Sequence, residues 1–346
     1  MRCNHQIILK NAETTSYAEY VAAHCSVGII RTLAGASSGI ASSIVTCPLD
    51  VVKTRLQAQG GFRHKSISTN IPFASRGLLG VGHAVWHEKG LKGMYQGLGP
   101  TLLGHVPRWA IFFSTYHRSC EIFHACLDLE SQWVSSLMAS ATAGTCSIVA
   151  TIPIQFIKTR LMSQTNISSQ TYAMPKWQYK SAFDAAQQIY RNEGILAFYS
   201  GLTPALLGLS QLAIQFPLYE TLKRGLTGSG LGEIKDCQNK TSGIIAAGFL
   251  SKIVSTSLAY PHEVIRTRLQ TQQILKSSTP LYRRYTGIVQ TARTIWLEEG
   301  WHALYAGFGT NLMRAVPASI ATMLVYENML SKLTELKANG ERKLGW

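Results

Sequence analysis

The chain has 346 residues, 46% of them hydrophobic and only 15% charged, and 33 Lys+Arg against 18 Asp+Glu give a net charge of +15. A soluble domain carries about 25% charged residues, and disorder needs high charge with few apolar side chains. Disorder is therefore excluded, while a mean hydropathy of +0.06 argues against a bundle that is apolar on every face. A membrane protein with a wet interior fits, and its excess of cations suits an anionic small substrate, anionic lipid or nucleic acid.

Residues 1–20 lack an apolar core and contain Glu13 and Glu19, so neither a secretory signal nor an Arg-rich presequence is expected, and any organellar address would be internal. The first predicted element is an apolar, small-residue stretch at 26–47, about the length that crosses a bilayer. It ends on Pro48-Leu-Asp-Val-Val-Lys-Thr-Arg55. A polar loop (59–75), a short amphipathic helix, the turn Gly90-Leu-Lys-Gly-Met-Tyr-Gln-Gly97 and a second apolar helix at about 99–123 follow.

The same plan then returns twice. The stretch 131–152 leads into Pro153-Ile-Gln-Phe-Ile-Lys-Thr-Arg160, then the loop 164–180, Gly194-Ile-Leu-Ala-Phe-Tyr-Ser-Gly201 and a helix at about 203–224. The stretch 241–260 leads into Pro261-His-Glu-Val-Ile-Arg-Thr-Arg268, then the loop 271–285, Gly300-Trp-His-Ala-Leu-Tyr-Ala-Gly307 and a helix at about 309–331. The prolines are 105 and 108 residues apart and the leading glycines 104 and 106. A third set, Gly77, Ser181 and Gly287, stands thirteen residues before those glycines. The chain is thus one domain of three units, at about 26–127, 128–228 and 238–338, each far longer than a solenoid repeat. The expected fold is an all-α membrane protein with six spans, two per unit, and both termini on one side. Arg63, Lys65, Lys176, Arg283 and Arg284 lie in the loops after the odd spans, and the positive-inside rule turns that side away from the termini.

Charges follow each proline at fixed offsets. Asp50, Gln155 and Glu263 stand at Pro+2, and Lys53, Lys158 and Arg266 at Pro+5. Acids and bases at one end of a membrane bundle are costly unless paired. Threefold symmetry lets each acid face the base of the next unit, which makes a closable ring. The chain carries no GxGxxG after a strand, no Walker loop, no HExxH and no GxSxG. Its cysteines have no CxxC or zinc spacing. An enzyme, a metal site and a cofactor are not expected, and the basic residues form no stripe with interleaved aromatics for nucleic acid.

These residues resemble the mitochondrial carrier family, whose pattern is Pro-x-acid-x-x-base-x-base, a loop, acid-Gly, four residues and aromatic-x-Gly. The resemblance covers about 26–335 and is met in all three units. It implies three pseudo-threefold repeats around a central cavity, three short matrix helices, and alternating access in the mitochondrial inner membrane with termini toward the intermembrane space. It also implies a functional monomer. The matrix gate would pair Asp50 with Lys158, Gln155 with Arg266 and Glu263 with Lys53. Gln57 and Gln270 would brace it, while Met162 departs from the brace pattern. The cytoplasmic gate motif is intact only at Tyr219-Glu220-Thr-Leu-Lys223, leaving His117 with Lys223, and Glu327 in the third unit. Cardiolipin would sit on the starts of the matrix helices, near Gly77, Ser181 and Gly287, and near Gly97, Gly201 and Gly307.

The family's substrate site lies midway down the even helices, which here selects Gly104, Gly208 and Arg314 with neighbours His105 and Leu209. Lys252 stands deep in the fifth span, as a second cavity cation or paired with a polar neighbour, and Arg108 is a further candidate. Such cations suit phosphate. Gly208-Leu209 resembles an adenine contact of nucleotide carriers. The stretches 47–60, 213–220 and 260–270 are similar to the fungal and plant NAD carriers, in a clade with pyrimidine nucleotide and FAD or folate carriers. That resemblance implies exchange of NAD+ for adenine nucleotides such as AMP or ADP. Gln155 departs from the clade, whose second motif usually has Trp there.

Overall fold

The computed structural model describes residues 25–58, 77–126, 132–164, 179–227, 241–272, 285 and 287–344. Among these, every regular element is helical. They are α1 (Val27–Ala58), α2 (Leu78–Met94), α3 (Leu98–Cys126), α4 (Gln132–Ser163) and α5 (Ala182–Asn192) in the first half of the chain. Then come α6 (Leu202–Leu207), α7 (Ser210–Thr227), α8 (Thr241–Thr271), α9 (Ile288–Glu299) and α10 (Phe308–Leu344). One-turn 3-10 helices at Ile195–Tyr199 and Trp301–Tyr305 precede α6 and α10. Most of the three basic loops lies outside the described residues.

Gly28–Ala58, Ser135–Ser163 and Gly243–Thr271 are long and apolar enough to cross a membrane. Pro48, Pro153 and Pro261 lie inside these helices, which continue past them to Ala58, Ser163 and Thr271. Each helix therefore continues through its proline rather than ending at it. The charged motif is carried on the last three helical turns.

Two differences from the expected helices stand out. The helix expected at 203–224 is broken after Leu207, and Leu209 donates to Leu206 O and Gln211 to Gly208 O, at 3.0 and 3.2 Å. These tighter i→i+3 bonds mark a 3-10 turn. The last helix runs to Leu344, well beyond 331.

The residues form two compact units, 47–312 and a smaller one of 1–46 with 313–346. In the smaller unit, Ser42 Oγ donates to Ala318 O at 3.2 Å and Lys337 Nζ to Cys25 O at 3.0 Å.

The larger unit repeats one packing scheme three times. Val81 and Val85 of α2 pack on Val51, Val52 and Leu56 of α1. Ala185 and Ile189 of α5 pack on Phe156 and Leu161 of α4. Ile295 of α9 packs on Ile265 and Leu269 of α8. Each amphipathic helix thus lies against the end of its own unit's charged helix, and burial of a Val, Leu or Ile side chain contributes about 1.5–3 kcal/mol. Small residues admit a neighbour elsewhere: a β-carbon on Gly144 would lie 2.8 Å from Leu209 Cδ2.

Candidate functional site

The site is built on the helical turns after the three prolines. Lys53 Nζ lies 2.5 Å from Glu263 Oε1 and 2.8 Å from Asn311 Oδ1. Lys158 Nζ is 3.8 Å from Asp50 Oδ2. Arg266 donates a close hydrogen bond to Gln155 Oε1. The structure thus brings together all three pairs at Pro+2 and Pro+5, and of the two ion pairs Lys53–Glu263 is the tighter and Lys158–Asp50 the looser. The neutral Gln155 accepts from a cation, a bond worth about 1.5–3 kcal/mol.

One turn further on, a second ring closes the same three helices. The Pro+6 threonine of each unit reaches the Pro+9 residue of the next. Thr159 Oγ1 donates to Gln270 Oε1 at 2.9 Å, Thr267 Oγ1 to Gln57 Oε1 at 2.8 Å, and Thr54 Oγ1 meets Met162 Sδ at 3.8 Å. Gln57 Nε2 also donates to Tyr260 Oη at 3.0 Å. Met162, which departs from the brace pattern, occupies the third position with a weaker acceptor.

The Pro+7 arginines form a third layer that sequence reasoning did not assign. Arg160 is fully buried and holds Glu193 with two 2.9 Å bonds, and Arg268 holds Glu299 at 3.0 and 2.9 Å. Arg55 holds Glu88 at 2.9 Å. Arg55 also donates to Gln164 O at 2.8 Å, and Arg160 to Gln270 O and Gln272 O at 2.5 and 2.6 Å. Those carbonyls end the next unit's charged helix, where backbone acceptors lack helical donors. The acid-Gly step of the pattern needs correction in the first unit. There the sequence is Glu88-Lys89-Gly90, and the paired acid stands one residue earlier. α2 is interrupted at Gly90, whose φ of 57° and ψ of −145° are non-helical, and the other two units pass into 3-10 helix after the corresponding glycines. Burial beside Arg55 pushes the Lys89 ammonium down.

The aromatic-x-Gly glycines clamp these layers. Gly97, Gly201 and Gly307 have φ of 88°, 83° and 80°. The β-position of each lies 3.4 Å from a backbone carbonyl of the next unit, that of Lys158, Arg266 and Lys53 respectively. The three residues whose carbonyls are touched are the three Pro+5 bases.

The outer ends of the even helices carry further charged and aromatic contacts. Glu220 is held by Arg224 of its own helix at 2.5 Å, and Arg224 was not among the expected residues. Tyr116 and His117 are ring neighbours, 6.0 Å apart. Glu327 lies on α10 in the smaller unit.

The expected substrate residues fall on different surroundings. Gly104 is half-buried, with its β-position 3.3 Å from Ile154 Cγ2. His105 is half-buried and Arg108 exposed. Lys252 is exposed and donates to Gln215 Oε1 of α7 at 3.4 Å, the polar-neighbour alternative. Leu209, expected beside the base, is partly buried. Its side chain fills the space over Gly144 and packs with Ile148 and Ile152 of α4. Gly208 instead faces His262, whose Nε2 lies 2.9 Å from the β-position. Arg314 is half-buried on α10 in the smaller unit. Gly77, Ser181 and Gly287 are the N-caps of α2, α5 and α9, and the Ser181 side chain accepts from Asp184 N.

A family profile described as mitochondrial carrier protein matches residues 28–125, 129–230 and 238–337. The chain belongs to the mitochondrial carrier family. It is a transport protein of that all-α membrane class rather than an enzyme. It is 37% identical, over 89% of its length and 78% of the relative's, to mitochondrial nicotinamide adenine dinucleotide transporter 1 of Saccharomyces cerevisiae. It is 35% identical, over 86% of its length and 90% of the relative's, to a chloroplastic nicotinamide adenine dinucleotide transporter of Arabidopsis thaliana. It is also 34% identical, over 88% of its length and 86% of the relative's, to the mitochondrial pyrimidine nucleotide transporter of Saccharomyces cerevisiae.

Proposed function

We propose that this carrier exchanges NAD+ for adenine nucleotides such as AMP or ADP across the mitochondrial inner membrane by alternating access. The observation that carries the reading is the 37% identity to a mitochondrial NAD transporter over most of the chain. It is joined to a set of paired groups after the three prolines, Lys53–Glu263, Lys158–Asp50 and Arg266–Gln155, that can act as a gate. In the conformation described the pairs are made, so the matrix side would be shut and substrate would enter from the side of the termini. Opening to the matrix requires all three to separate. A bound anion that offers the cations alternative partners lowers that cost.

Arg314 and Lys252 are the proposed phosphate partners. Lys252 gives up only a 3.4 Å contact to Gln215, weak by hydrogen-bond geometry. Arg108 and His105 would line the path. The amides that open α2, α5 and α9 beside Gly77, Ser181 and Gly287 would hold cardiolipin phosphates, since helix N-termini favour anions. Gln57 and Gln270 serve as braces, and His117, Glu220, Lys223 and Glu327 as a weaker outer gate. The carrier works as a monomer.

A second reading, pyrimidine nucleotide exchange, is favoured by the 34% identity to the yeast pyrimidine transporter. Purified carrier in liposomes loaded with AMP, CTP, UTP or FAD separates the two. Uptake of labelled NAD+ against internal AMP supports the first reading. Uptake of CTP and UTP with none of NAD+ overturns it in favour of the second.

A further inference from the structure

Tyr260 stands immediately before Pro261 of the third motif and is 1% exposed. Its hydroxyl accepts from Gln57 Nε2 of α1 and donates to Ala306 O in the linker before α10, each at 3.0 Å. The phenol thus acts as acceptor and as donor at once. Its ring packs with the aromatics that flank that linker, 6.1 Å from Tyr305 and 5.1 Å from Phe308 between centroids. The other end of the Gln57 amide accepts from Thr267 Oγ1 at 2.8 Å. A chain of hydrogen bonds therefore runs from Thr267 of α8 to Gln57 of α1, back to Tyr260 of α8, and on to Ala306. Lys53 and Gln57 are four residues apart on α1, and Glu263 and Thr267 four apart on α8. The chain thus lies one turn beyond the Lys53–Glu263 pair and joins the same two helices.

The other two joints of the ring are built differently. The residue before the proline is Ile152 in the second unit and Cys47 in the first, and neither carries a phenol. Gln270 still accepts from Thr159, but its Nε2 is buried and has no hydrogen-bond partner among the described residues. Met162 replaces the amide altogether and offers Thr54 only its sulfur. The orphaned Gln270 amide shows what the phenol supplies to Gln57, a fixed acceptor for a donor that is costly to bury alone. Gly307 leaves room for it, since a β-carbon there would lie 3.2 Å from Tyr260 Oη. Lys53 Nζ also lies 6.0 Å from the Tyr260 ring centroid, at the outer limit of a cation–π contact.

We infer that Tyr260 is a positioning residue of the gate: its hydroxyl fixes the Gln57 amide against Thr267 and so keeps Lys53 and Glu263 apposed until substrate is bound. The inference rests on the gate reading and adds to it a residue from outside the charged motif. Members of a hydrogen-bonded chain support one another, so loss of the hydroxyl loosens the whole joint between the third and first units. Tyr260 acts through Gln57 and not on the substrate. Its loss therefore changes how often the ring parts unprompted, and leaves the KM for nucleotide as it was.

The test uses the full-length carrier in liposomes loaded with whichever of labelled AMP, CTP or UTP supports the fastest exchange. Efflux into nucleotide-free buffer, divided by efflux against external nucleotide, gives the uncoupled fraction. Tyr260→Phe keeps the ring and removes the hydroxyl, and it should raise that fraction by about three- to tenfold, the worth of one neutral hydrogen bond, with KM unchanged. Gln57→Met copies the residue that the second unit already carries at this position, and it should raise the fraction too. Added to Gln57→Met, Tyr260→Phe should have no further effect. Ile295→Val trims the buried contact between α9 and α8, so it should lower the thermal midpoint and leave the fraction unchanged, which separates positioning from a loss of stability. An unchanged fraction in Tyr260→Phe, or an equal further rise in the Gln57→Met background, overturns the inference while the gate stands. If Gln57→Met and Lys53→Ala also leave coupling and exchange rate as in wild type, the gate reading fails and the inference with it. Transport of none of the nucleotides removes both.

Discussion

The backbone carbonyl of Lys53 lies 3.4 Å from the position a β-carbon would take on Gly307. The linker after α9 is therefore in van der Waals contact with the residue that holds Glu263. Gly201 meets Arg266 O and Gly97 meets Lys158 O at the same distance, so each unit's linker grips the next unit's Pro+5 base. Gly307→Ala must accept a φ of 80° as well as a contact of 3.2 Å to Tyr260 Oη. A strained backbone of this kind costs about 1–3 kcal/mol. Thermal unfolding in detergent should show a lower midpoint for Gly97→Ala, Gly201→Ala and Gly307→Ala. Gly99→Ala, where a β-carbon meets open space, should leave it unchanged.

The Gln155–Arg266 bond predicts how the ring responds to charge. Gln155→Glu makes the third contact an ion pair and should raise the thermal midpoint of the carrier while slowing exchange, because the closed pairs become harder to part. Lys53→Ala removes the donor that Glu263 and Asn311 share and should reduce exchange by about tenfold or more, in line with the loss of one partner of a partly buried ion pair. Initial exchange rates in liposomes check both. Equal rates in wild type and all of Lys53→Ala, Lys158→Ala and Arg266→Ala would remove the gate assignment.

The repeat pattern made the paired ring legible in the sequence, because offsets of two and five from a proline place acid and base on one helix face in every unit. Other features depend on contacts between distant segments. Nothing local marks that Leu209 fills the space over Gly144, or that His262 comes to rest on Gly208, since each pairing spans more than fifty residues. Glu88 is displaced from the pattern by one residue, and only the packing of α2 on α1 shows that it still reaches Arg55. Arg224 was overlooked although a base four residues after an acid on a helix is a readable pair.

Burial separates the Pro+7 arginines from surface pairs. The side chains of Arg160 and Glu193 are 0% and 5% exposed, against 64% and 31% for Arg224 and Glu220. Arg160→Ala removes two bonds to Glu193 and those to the Gln270 and Gln272 carbonyls, a loss of about 3–5 kcal/mol, and should abolish folding into a stable monodisperse species. Arg224→Ala should cost about 0–1 kcal/mol. Comparison of detergent-phase unfolding midpoints tests the contrast.

The cap of α5 should respond to acid. Asp184 Oδ2 accepts from Lys180 N at 2.8 Å and Oδ1 from Gln188 Nε2 at 2.9 Å. The Lys180 amide first, and the Gln188 side chain second, hold the Asp184 carboxyl below its usual range. With a depressed folded pKa, the cap's contribution is present above the unfolded value near about 4 and fades as pH falls through the lower folded one. Hydrogen exchange of the first turn of α5 should be faster in Asp184→Asn than in wild type at pH about 7. Once Asp184 is protonated, the two proteins should converge.

The central claim is obligatory exchange of NAD+ for an adenine nucleotide through one alternating site. It is tested most directly by loading liposomes that contain the purified carrier with labelled AMP and following efflux after external NAD+ is added. The account predicts negligible efflux into buffer and prompt efflux on addition of NAD+, suppressed in Lys53→Ala. Efflux that starts without any external nucleotide, or that CTP and UTP trigger and NAD+ does not, would contradict it.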